Sequence, residues 1–396
     1  MSKEINNLLE KGVVEVIVKE ELKKELEAGK KLKIKFGIDP TGSDLHIGHM
    51  VPIRKLAEFQ KLGHEIQMLF GTFTAQIGDP TGKDKAREIK SKEEILKNAE
   101  TYINQVSKVL DTKSVKFFYN DEWLSDMSLS EVVELASTFT VQQMIQRDMF
   151  QERMKKGTPI HLQEFLYPLM QGYDSVIMKS DLELGATEQT FNMLAGRTIQ
   201  KHFGQKPQAV MSVPILVGLD GKFKMGKSLN NYIGVNESPK DIFGKTMSIP
   251  DDLILNYFEL ATDMLLDEVA NVKKALEEGE NPRNLKIKLA KEIVALYHSK
   301  EDSEKAEIDF INQFAKKEIP DDIPEISLPE KSYKLLQLIG LCGFEGSNGE
   351  IKRLISQNAV KINNEKANNP EEEIVLNEEK IIQVGKRSFY KVIKNA

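Results

Sequence analysis

The sequence contains a single cysteine, Cys342, among its 396 residues. One thiol can form neither a disulfide within the chain nor a multi-cysteine metal site. Apolar runs fall far short of the ~18 residues that a membrane-spanning helix needs. The first twelve residues, MSKEINNLLEKG, lack the apolar segment of a signal peptide. These absences predict a protein of the reducing cytoplasm, with neither a signal peptide nor a membrane anchor.

Charge is plentiful but unevenly distributed. The chain is 40% hydrophobic and 29% charged, with a formal net charge of -6, which argues against indiscriminate binding of nucleic acid. Residues 331–396 carry 11 Lys/Arg and 8 Asp/Glu, and the rest carries 44 and 53. A basic tail on an acidic body suits a phosphate-binding surface, and it suits an ordinary solvated surface equally well.

Hydrophobic periodicity indicates an α/β protein. Residues 31–38 and 65–75 resemble buried strands, and the helix-period segment HIGHMVPIRKLAEFQKLG lies between them. A strand, a helix and a strand within fifty residues form a βαβ unit, which predicts a parallel sheet. Residues 115–120 and 209–218 are predicted as further strands.

The remaining pattern divides the chain into domains. We predict a Rossmann-like domain over 1–232 with a helical insertion at about 126–160, a helical domain over 233–318, a proline-rich linker over 319–330 and an α+β module over 331–396. The apolar stripe of the insertion comprises Leu135, Met144, Met149 and Phe150. Core packing and a subunit interface explain this stripe equally well.

The first candidate site is DPTGSDLHIGH, residues 39–49, directly after a predicted strand. His46 and His49 are three apart and therefore share one face of the helix that follows. Helix N-termini hold phosphate groups well because their N–H groups are free. Two histidines alone are more often structural, but the strand–turn–helix context favours a phosphate site.

The second candidate, GKFKMGKS at 221–228, matches the phosphate-loop pattern G-x-x-x-x-G-K-[ST]. In a P-loop NTPase, Lys227 would contact the β- and γ-phosphates and Ser228 would bind Mg²⁺. That interpretation needs a helix after Ser228. The segment LNNYIGVNESP is a poor helix start, and the P-loop interpretation leaves the histidines without a role.

The third candidate is HLQEFLYPLMQGYDSV, residues 161–176, where Tyr167, Gln171 and Asp174 share one helical stripe. A phenol, an amide and a carboxylate together could hold the ammonium group and the polar side-chain tip of an amino acid. Pro168 should limit or kink this helix. Glu188 and Gln189 follow the next strand, where a sugar hydroxyl and a ligand carboxyl group could be met.

These segments resemble the class I aminoacyl-tRNA synthetases. LHIGH (45–49) resembles the HIGH signature of the family, and KMGKS (224–228) resembles its KMSKS signature. More narrowly, GIDPTGSDLHIGH, IGDPTGK (77–83), LYPLMQGYDS (166–175) and LELGATEQ (182–189) are similar to bacterial tyrosyl-tRNA synthetases. GEIKRLISQNAVKINNEKAN (349–368) is similar to the RNA-binding module at the C-terminus of that family. The resemblance covers essentially the whole chain.

The resemblance implies a Rossmann-like parallel-sheet catalytic domain, an all-helical domain and a small α+β RNA-binding module. It implies that L-tyrosine is activated with ATP to tyrosyl-adenylate, with release of pyrophosphate, and is then transferred to the 3′-terminal adenosine of tRNA(Tyr). Mg²⁺ would accompany ATP, no cofactor would be tightly bound, the protein would supply no metal site, and the chain would form a homodimer.

The resemblance also implies roles for individual residues. The catalytic group would be Thr41, His46, His49, Lys224 and Lys227, acting on the α-phosphate and the leaving pyrophosphate. The ATP-binding group would be Gly37, Asp39, Gly48, Glu188, Met225 and Lys227. The tyrosine-binding group would be Asp79, Tyr167 and Gln171 at the ammonium, Asp174 at the phenol and Gln189 near the carboxyl group. The RNA-binding group would be Lys352, Arg353 and Lys361.

The chain departs from the family pattern at three positions. Lys35 stands where one branch of the family has a phenol-binding tyrosine, and we expect its side chain to point to solvent or to a phosphate. Glu188 replaces the usual aspartate, and Gly226 replaces the serine of KMSKS. A non-catalytic relative of the synthetases is a further alternative, although both histidines and both lysines are present.

Overall fold

The computed structural model describes residues 2–81, 91–317, 323–329, 331–344, 346–363, 365–385 and 388–395. Contacts divide the chain into a first unit, residues 1–307, and a second unit, residues 308–396. Parts of three predicted segments lie outside the described residues: Gly82 and Lys83 of IGDPTGK, residues 319–322 and 330 of the linker, and Asn364 of the tail segment.

A six-stranded sheet forms the centre of the first unit, with strand order β1-β6-β5-β2-β3-β4. The strands are β1 (Glu15–Ile17), β2 (Lys33–Ile38), β3 (Glu65–Phe70), β4 (Lys116–Tyr119), β5 (Leu182–Ala186) and β6 (Ala209–Val213). The pairs among β2 to β6 are parallel, which confirms the predicted parallel sheet. The edge strand β1 runs antiparallel to β6, and the sequence pattern did not reveal it.

Two predicted strands end earlier than expected. The strand predicted over 65–75 ends at Phe70, because the chain turns at Gly71 into a short helix. The strand predicted over 209–218 ends at Val213, since Pro214 has no N–H to continue the ladder. Both early ends place a loop at the carboxyl edge of the sheet.

Helices pack against this sheet and continue beyond it. In chain order they are α1 (Ser2–Glu10), α2 (Lys19–Glu27), α3 (Ile47–Lys61), α4 (Thr74–Ile77), α5 (Lys92–Val106), α6 (Asp121–Leu124), α7 (Leu129–Ala136), α8 (Val141–Ile145), α9 (Asp148–Lys156), α10 (Gln163–Met178), α11 (Thr190–His202), α12 (Pro239–Met247), α13 (Ile254–Ala261), α14 (Leu266–Glu277), α15 (Pro282–Tyr297) and α16 (Lys300–Lys317). The predicted insertion contains three short helices, α7 to α9.

Helix α10 carries the predicted Tyr167–Asp174 stripe, and Pro168 does not end it. The helix continues through this proline to Met178. An interior proline removes one i→i−4 hydrogen bond and crowds the carbonyl of residue i−4, and here the helix that contains it is largely buried and packs against α11. The stripe therefore keeps its helical spacing.

The second unit is an α+β module with its own core. A five-stranded sheet has the order β10-β9-β12-β13-β7, and β8 pairs with β11. Its elements are β7 (Glu325–Leu328), β8 (Ser332–Lys334), α17 (Leu335–Leu341), α18 (Asn348–Ser356), β9 (Val360–Ile362), β10 (Glu365–Lys366), β11 (Glu373–Val375), β12 (Lys380–Val384) and β13 (Ser388–Lys394). Leu338, Ile351 and Ile382 are among its fully buried side chains.

Strand β7 lies inside the segment predicted as a linker. Glu325–Leu328 pairs in parallel with β13 and so belongs to the sheet of the second unit. The prolines and acidic residues of this segment gave a linker pattern, but Ile326 and Leu328 pack against the apolar core. The chain thus enters the second unit before residue 330.

Candidate active site

A cavity of about 620 Å³ opens at the carboxyl ends of the parallel strands. It lies where β2 has β3 on one side and β5 on the other, which is the position at which the strand order reverses. Ligands of open α/β sheets bind at such a position. Every member of the predicted catalytic, ATP-binding and tyrosine-binding groups lines this cavity: Gly37, Asp39, Thr41, His46, Gly48, His49, Asp79, Tyr167, Gln171, Asp174, Glu188, Gln189, Lys224, Met225 and Lys227.

The two histidines stand at the first turn of α3. His46 is the N-cap residue, and its backbone N–H donates to His49 Nδ1 over 3.2 Å. The two rings stack with their centroids 3.7 Å apart. A β-bridge between His46 and Gly234 ties this turn to the chain that follows the KMGKS segment. The two signature segments therefore meet in space although about 180 residues separate them.

Gly48 permits the histidine stack by its lack of a side chain. A Cβ at this position would lie 3.0 Å from His46 Nδ1 and 3.5 Å from the Cβ of Met225. The first of these contacts is closer than side chains normally tolerate. A Cβ here would force the His46 ring to shift by a few tenths of an ångström, so close packing, rather than backbone conformation, favours a glycine between the histidines.

Both imidazoles are neutral at physiological pH. Burial and the charge of His49 lower the pKa of His46 to about 2, and burial with the Lys227 charge lowers the pKa of His49 to about 4. His46 Nδ1 is buried and has no hydrogen-bond partner among the described residues. A polar atom in that state costs free energy unless a ligand or water bonds to it.

The KMGKS segment forms an irregular loop and does not have the structure of a P-loop. Met225 N–H donates to the Leu216 carbonyl over 2.9 Å, so the segment folds back on the chain that leaves β6. Lys227–Leu229 is a single 3-10 turn and not the start of an α-helix. The P-loop interpretation needs a helix at this point and is therefore wrong.

The lysines of this loop point to the opposite wall of the cavity mouth. Lys224 Nζ lies 2.9 Å from Glu188 Oε2, and Lys227 Nζ lies 3.5 Å from Asp44 Oδ2. Their side chains are 48% and 35% exposed. Exposed ion pairs of this kind are worth at most about 1 kcal/mol. Both ammonium groups can therefore exchange their carboxylates for the phosphates of a ligand at little cost.

The opposite end of the cavity is a network of polar side chains. Tyr167 donates its hydroxyl proton to Asp39 Oδ2 over 2.8 Å, and Thr74 donates to Asp39 Oδ1 over 2.9 Å. Gln189 Nε2 donates to Asp79 Oδ2 over 2.6 Å. The hydroxyl oxygen of Tyr167 therefore faces a ligand as an acceptor, because its proton is already used.

Asp174 lies at the buried end of the stripe, with 1% of its surface exposed. Trp123 Nε1 donates to Oδ1 over 2.9 Å and Asn120 Nδ2 donates to Oδ2 over 3.3 Å. Burial raises the pKa of Asp174 to about 7, although Lys35 and these two donors act in the opposite direction. A hydroxyl group in the cavity would provide this carboxylate with a further donor.

Lys35 is not exposed, so the expectation that it points to solvent or to a phosphate is wrong. Its side chain is fully buried and its Nζ lies 3.0 Å from Glu183 Oε1. Nζ also donates to the Gln171 carbonyl and to Ser175 Oγ, each over 2.8 Å. The charge of Lys35 is thus compensated inside the protein, on the α10 side of β2.

Sequence patterns did not reveal Asn120, Trp123 or Glu183. Asn120 directly follows β4, at the carboxyl edge that parallel strands share, so its position in the predicted sheet could have indicated it. Trp123 and Glu183 reach their partners only through tertiary packing. Among the described residues, no group of three or more metal-ligating side chains could hold a metal ion.

The predicted RNA-binding residues lie in the second unit. Lys352 and Arg353 are exposed on α18, and Lys361 is half-buried on β9. None of them lines the cavity. No helix in the described part of the chain is both long and apolar enough to cross a membrane.

The chain belongs to the family of class I tRNA synthetases (W and Y), which matches residues 27–315. It is 48% identical to the tyrosine–tRNA ligase of Carboxydothermus hydrogenoformans over 98% of this chain and 97% of that protein. It is 46% identical to the tyrosine–tRNA ligase of Moorella thermoacetica, over 96% and 94%, and 47% identical to that of Francisella tularensis, over 99% and 98%.

Solved structures show the same fold. A C-terminally truncated mitochondrial tyrosyl-tRNA synthetase from Aspergillus nidulans matches with a TM-score of 0.66 at 23% identity, over 79% of this chain and 95% of that one. A tyrosyl-tRNA synthetase from Archaeoglobus fulgidus, solved with L-tyrosine, matches with a TM-score of 0.62 at 24% identity, over 77% and 99%. At these identities the likeness concerns the fold alone.

Proposed function

We propose that the protein is a tyrosine–tRNA ligase, which activates L-tyrosine with ATP and transfers it to tRNA(Tyr). One observation carries the proposal: every predicted catalytic, nucleotide-binding and amino-acid-binding residue lines the same cavity. One end of this cavity holds lysines and histidines suited to phosphate. The other end holds acceptors and a buried carboxylate suited to tyrosine.

Tyrosine lies with its ammonium group against Asp79, the hydroxyl oxygen of Tyr167 and the amide of Gln171. Its phenol donates to Asp174, which burial otherwise leaves poorly solvated. Phenylalanine in the same pose offers no donor. A buried carboxylate without that hydrogen bond costs about 1–3 kcal/mol or more, so the site selects tyrosine.

Activation is an in-line substitution at the α-phosphorus of ATP. A carboxylate oxygen of tyrosine forms the new bond, the bond to the bridging oxygen breaks, and pyrophosphate leaves with Mg²⁺. Neutral His46 and His49, with Thr41, donate hydrogen bonds to oxygens whose charge grows in the transition state. Lys224 and Lys227 leave their surface carboxylates and neutralise the pyrophosphate. Positioning and electrostatic stabilisation carry the rate.

Transfer follows at the same cavity. A terminal ribose hydroxyl of tRNA attacks the tyrosyl carbonyl carbon, its proton is released, and AMP leaves with the electrons of the mixed anhydride. The second unit binds the tRNA through phosphate contacts of Lys352, Arg353 and Lys361. Two of these cations are exposed on one helix, which supports this role.

The working form is a cytoplasmic homodimer whose contact surface includes the helices α7 to α9. Leu135 and Met144 of this region are buried in a core cluster, so part of the predicted stripe is core. Other apolar side chains of these helices are exposed: Leu129, Val133, Val141 and Met154. Large exposed apolar groups in one region are typical of a protein interface. Sedimentation at two concentrations tests the dimer.

The test of function is ATP–pyrophosphate exchange measured with each of the twenty amino acids, followed by charging of tRNA. We expect exchange with tyrosine alone, and tyrosylation of tRNA(Tyr). A non-catalytic relative would bind RNA and show no exchange. ATP hydrolysis that needs no amino acid would contradict the proposal.

A further inference from the structure

A buried ion pair lies behind the amino-acid end of the cavity, and nothing above gives it a role. Lys35 and Glu183 are 0% and 1% exposed in their side chains, and their Nζ and Oε1 are 3.0 Å apart. Removing two charges from water costs several kcal/mol per ion, which their attraction does not reliably recover. A pair at this depth is therefore weak evidence for stability, and its neighbours indicate what else it does.

The Glu183 carboxylate accepts hydrogen bonds from three further side chains. Oε1 accepts from Gln171 Nε2 over 3.2 Å, and Oε2 accepts from Gln208 Nε2 over 2.5 Å and from Ser175 Oγ over 3.2 Å. Glu183 belongs to β5 and Gln171 to α10, so this contact joins the sheet to the helix that carries the tyrosine stripe. Both residues line the cavity.

The contact between Glu183 and Gln171 decides which end of an amide faces the ligand. A glutamine amide can present either its oxygen, an acceptor, or its NH₂, a donor. The carboxylate of an ion pair has no proton to give, so only the NH₂ end of Gln171 can face it. The amide oxygen of Gln171 is then left to face the cavity.

We propose that the Lys35–Glu183 pair is a positioning device for amino-acid recognition: it holds the Gln171 amide with its oxygen towards the ligand, so that an ammonium group meets an acceptor. The proposal rests on the proposed function, since it takes the ligand to be an amino acid. Tyr167 is arranged in the same way: its hydroxyl donates its proton to Asp39, so its oxygen can accept a hydrogen bond from the ligand. Lys35 and Glu183 act through Gln171 and do not touch the reacting atoms.

The test replaces both charges at once, because one alone would leave a buried charge without a partner. Binding to Lys35→Met/Glu183→Met is measured by calorimetry with L-tyrosine, with tyramine, which keeps the ammonium, and with 3-(4-hydroxyphenyl)propionate, which lacks it. We expect the first two to bind roughly tenfold to a hundredfold more weakly, the loss of one hydrogen bond to a charged group. Binding of the propionate should stay within about twofold.

A double-mutant cycle with Gln171→Met tests whether Lys35 and Glu183 affect ligand binding through Gln171. If the pair acts through Gln171, the Lys35/Glu183 double substitution adds less than about twofold once the amide is gone. Additive losses in the cycle, an equal loss for all three ligands, or no loss for tyramine would each overturn the proposal.

The proposal remains falsifiable if the charge-free variant does not fold, because it requires the Gln171 amide to meet the ammonium group. Gln171 is half-buried, so Gln171→Met alone should fold and is compared across the same three ligands. An equal loss of tyramine and of the propionate would then show that the amide does not meet the ammonium. Failure of the proposed function is distinct, because wild-type protein would in that case bind none of the three.

Discussion

The two ends of the cavity differ in how their charged groups are compensated. At the phosphate end, Lys224 and Lys227 are about half and one-third exposed, and each pairs with a surface carboxylate. At the amino-acid end, Asp174 and Lys35 are buried, and each is bonded to two or three neighbours of fixed position. The exposed lysines can exchange their partners easily, and the buried Asp174 and Lys35 cannot.

In the proposed function, this difference separates recognition from catalysis. Buried and fully bonded groups discriminate well, because a wrong ligand leaves one of them unsatisfied. Exposed lysines discriminate poorly, but they can move to charge that appears only in the transition state, which is what raises kcat. We therefore expect substitutions at the two ends to affect different kinetic constants.

The largest effect is expected at the phosphate end. Lys224→Ala/Lys227→Ala should lower kcat for adenylate formation by roughly 10²-fold or more, since one donor at a developing negative charge contributes about that factor. Tyrosine binding should change by less than about threefold. Single-turnover kinetics measure both quantities. Lys222→Ala, in an exposed neighbour outside the cavity, serves as the control. A near-normal rate in the double variant would show that the loop does not stabilise the transition state.

A smaller effect is expected at Asp174, on selectivity for tyrosine rather than on kcat. Asp174→Ala should reduce kcat/KM for tyrosine in pyrophosphate exchange by roughly tenfold to a hundredfold, the loss of a hydrogen bond to a charged group. Phenylalanine should lose little, so the selectivity falls. Asp174→Asn keeps the size of the side chain and is the matched control for packing. Equal losses for both amino acids would place the phenol elsewhere.

Truncation within the second unit should leave amino-acid activation in the cavity intact and weaken the charging of tRNA. A chain that ends at residue 317 keeps α16 and loses both sheets of the second unit, and it should still form tyrosyl-adenylate, because every cavity residue precedes that point. Its charging of tRNA should be several-fold slower, with a deficit that grows as salt rises, since lost phosphate contacts leave less affinity in reserve. Full-length Lys352→Ala/Arg353→Ala should show a milder form of the same deficit. Equal charging by both chains at physiological salt would exclude the second unit from tRNA binding.

The smallest effect is a difference between two pH profiles. The phenol donates best to an ionised carboxylate, and the pKa of Asp174 is raised to about 7, so kcat/KM for tyrosine should fall as pH drops below 7. The pKa values of His46 and His49, about 2 and 4, lie below this range. The kcat/KM of Asp174→Asn should therefore show no histidine step between pH 6 and 8. A step near pH 6.5 that remains in Asp174→Asn and disappears in His49→Asn would show that the histidines titrate.

The sequence predicts the phosphate end better than the amino-acid end. His46 and His49 follow a strand directly, and KMGKS is a contiguous segment, so local pattern was enough to find them. The stripe of Tyr167, Gln171 and Asp174 was visible from helical spacing. The burial of Lys35 was not visible, because its partner Glu183 lies 148 positions away and meets it only when β2 pairs with β5. The donors Asn120 and Trp123 were missed because they meet Asp174 only across the fold.

The central claim is that amino-acid identity is decided at a preformed, buried end before ATP binds. Calorimetric titration of L-tyrosine and L-phenylalanine into the protein without ATP tests it most directly. The account predicts that tyrosine binds without ATP, that phenylalanine binds at least roughly tenfold more weakly, and that Lys224→Ala/Lys227→Ala leaves both values unchanged. Tyrosine binding that requires ATP, or phenylalanine binding within about twofold of tyrosine, would contradict it.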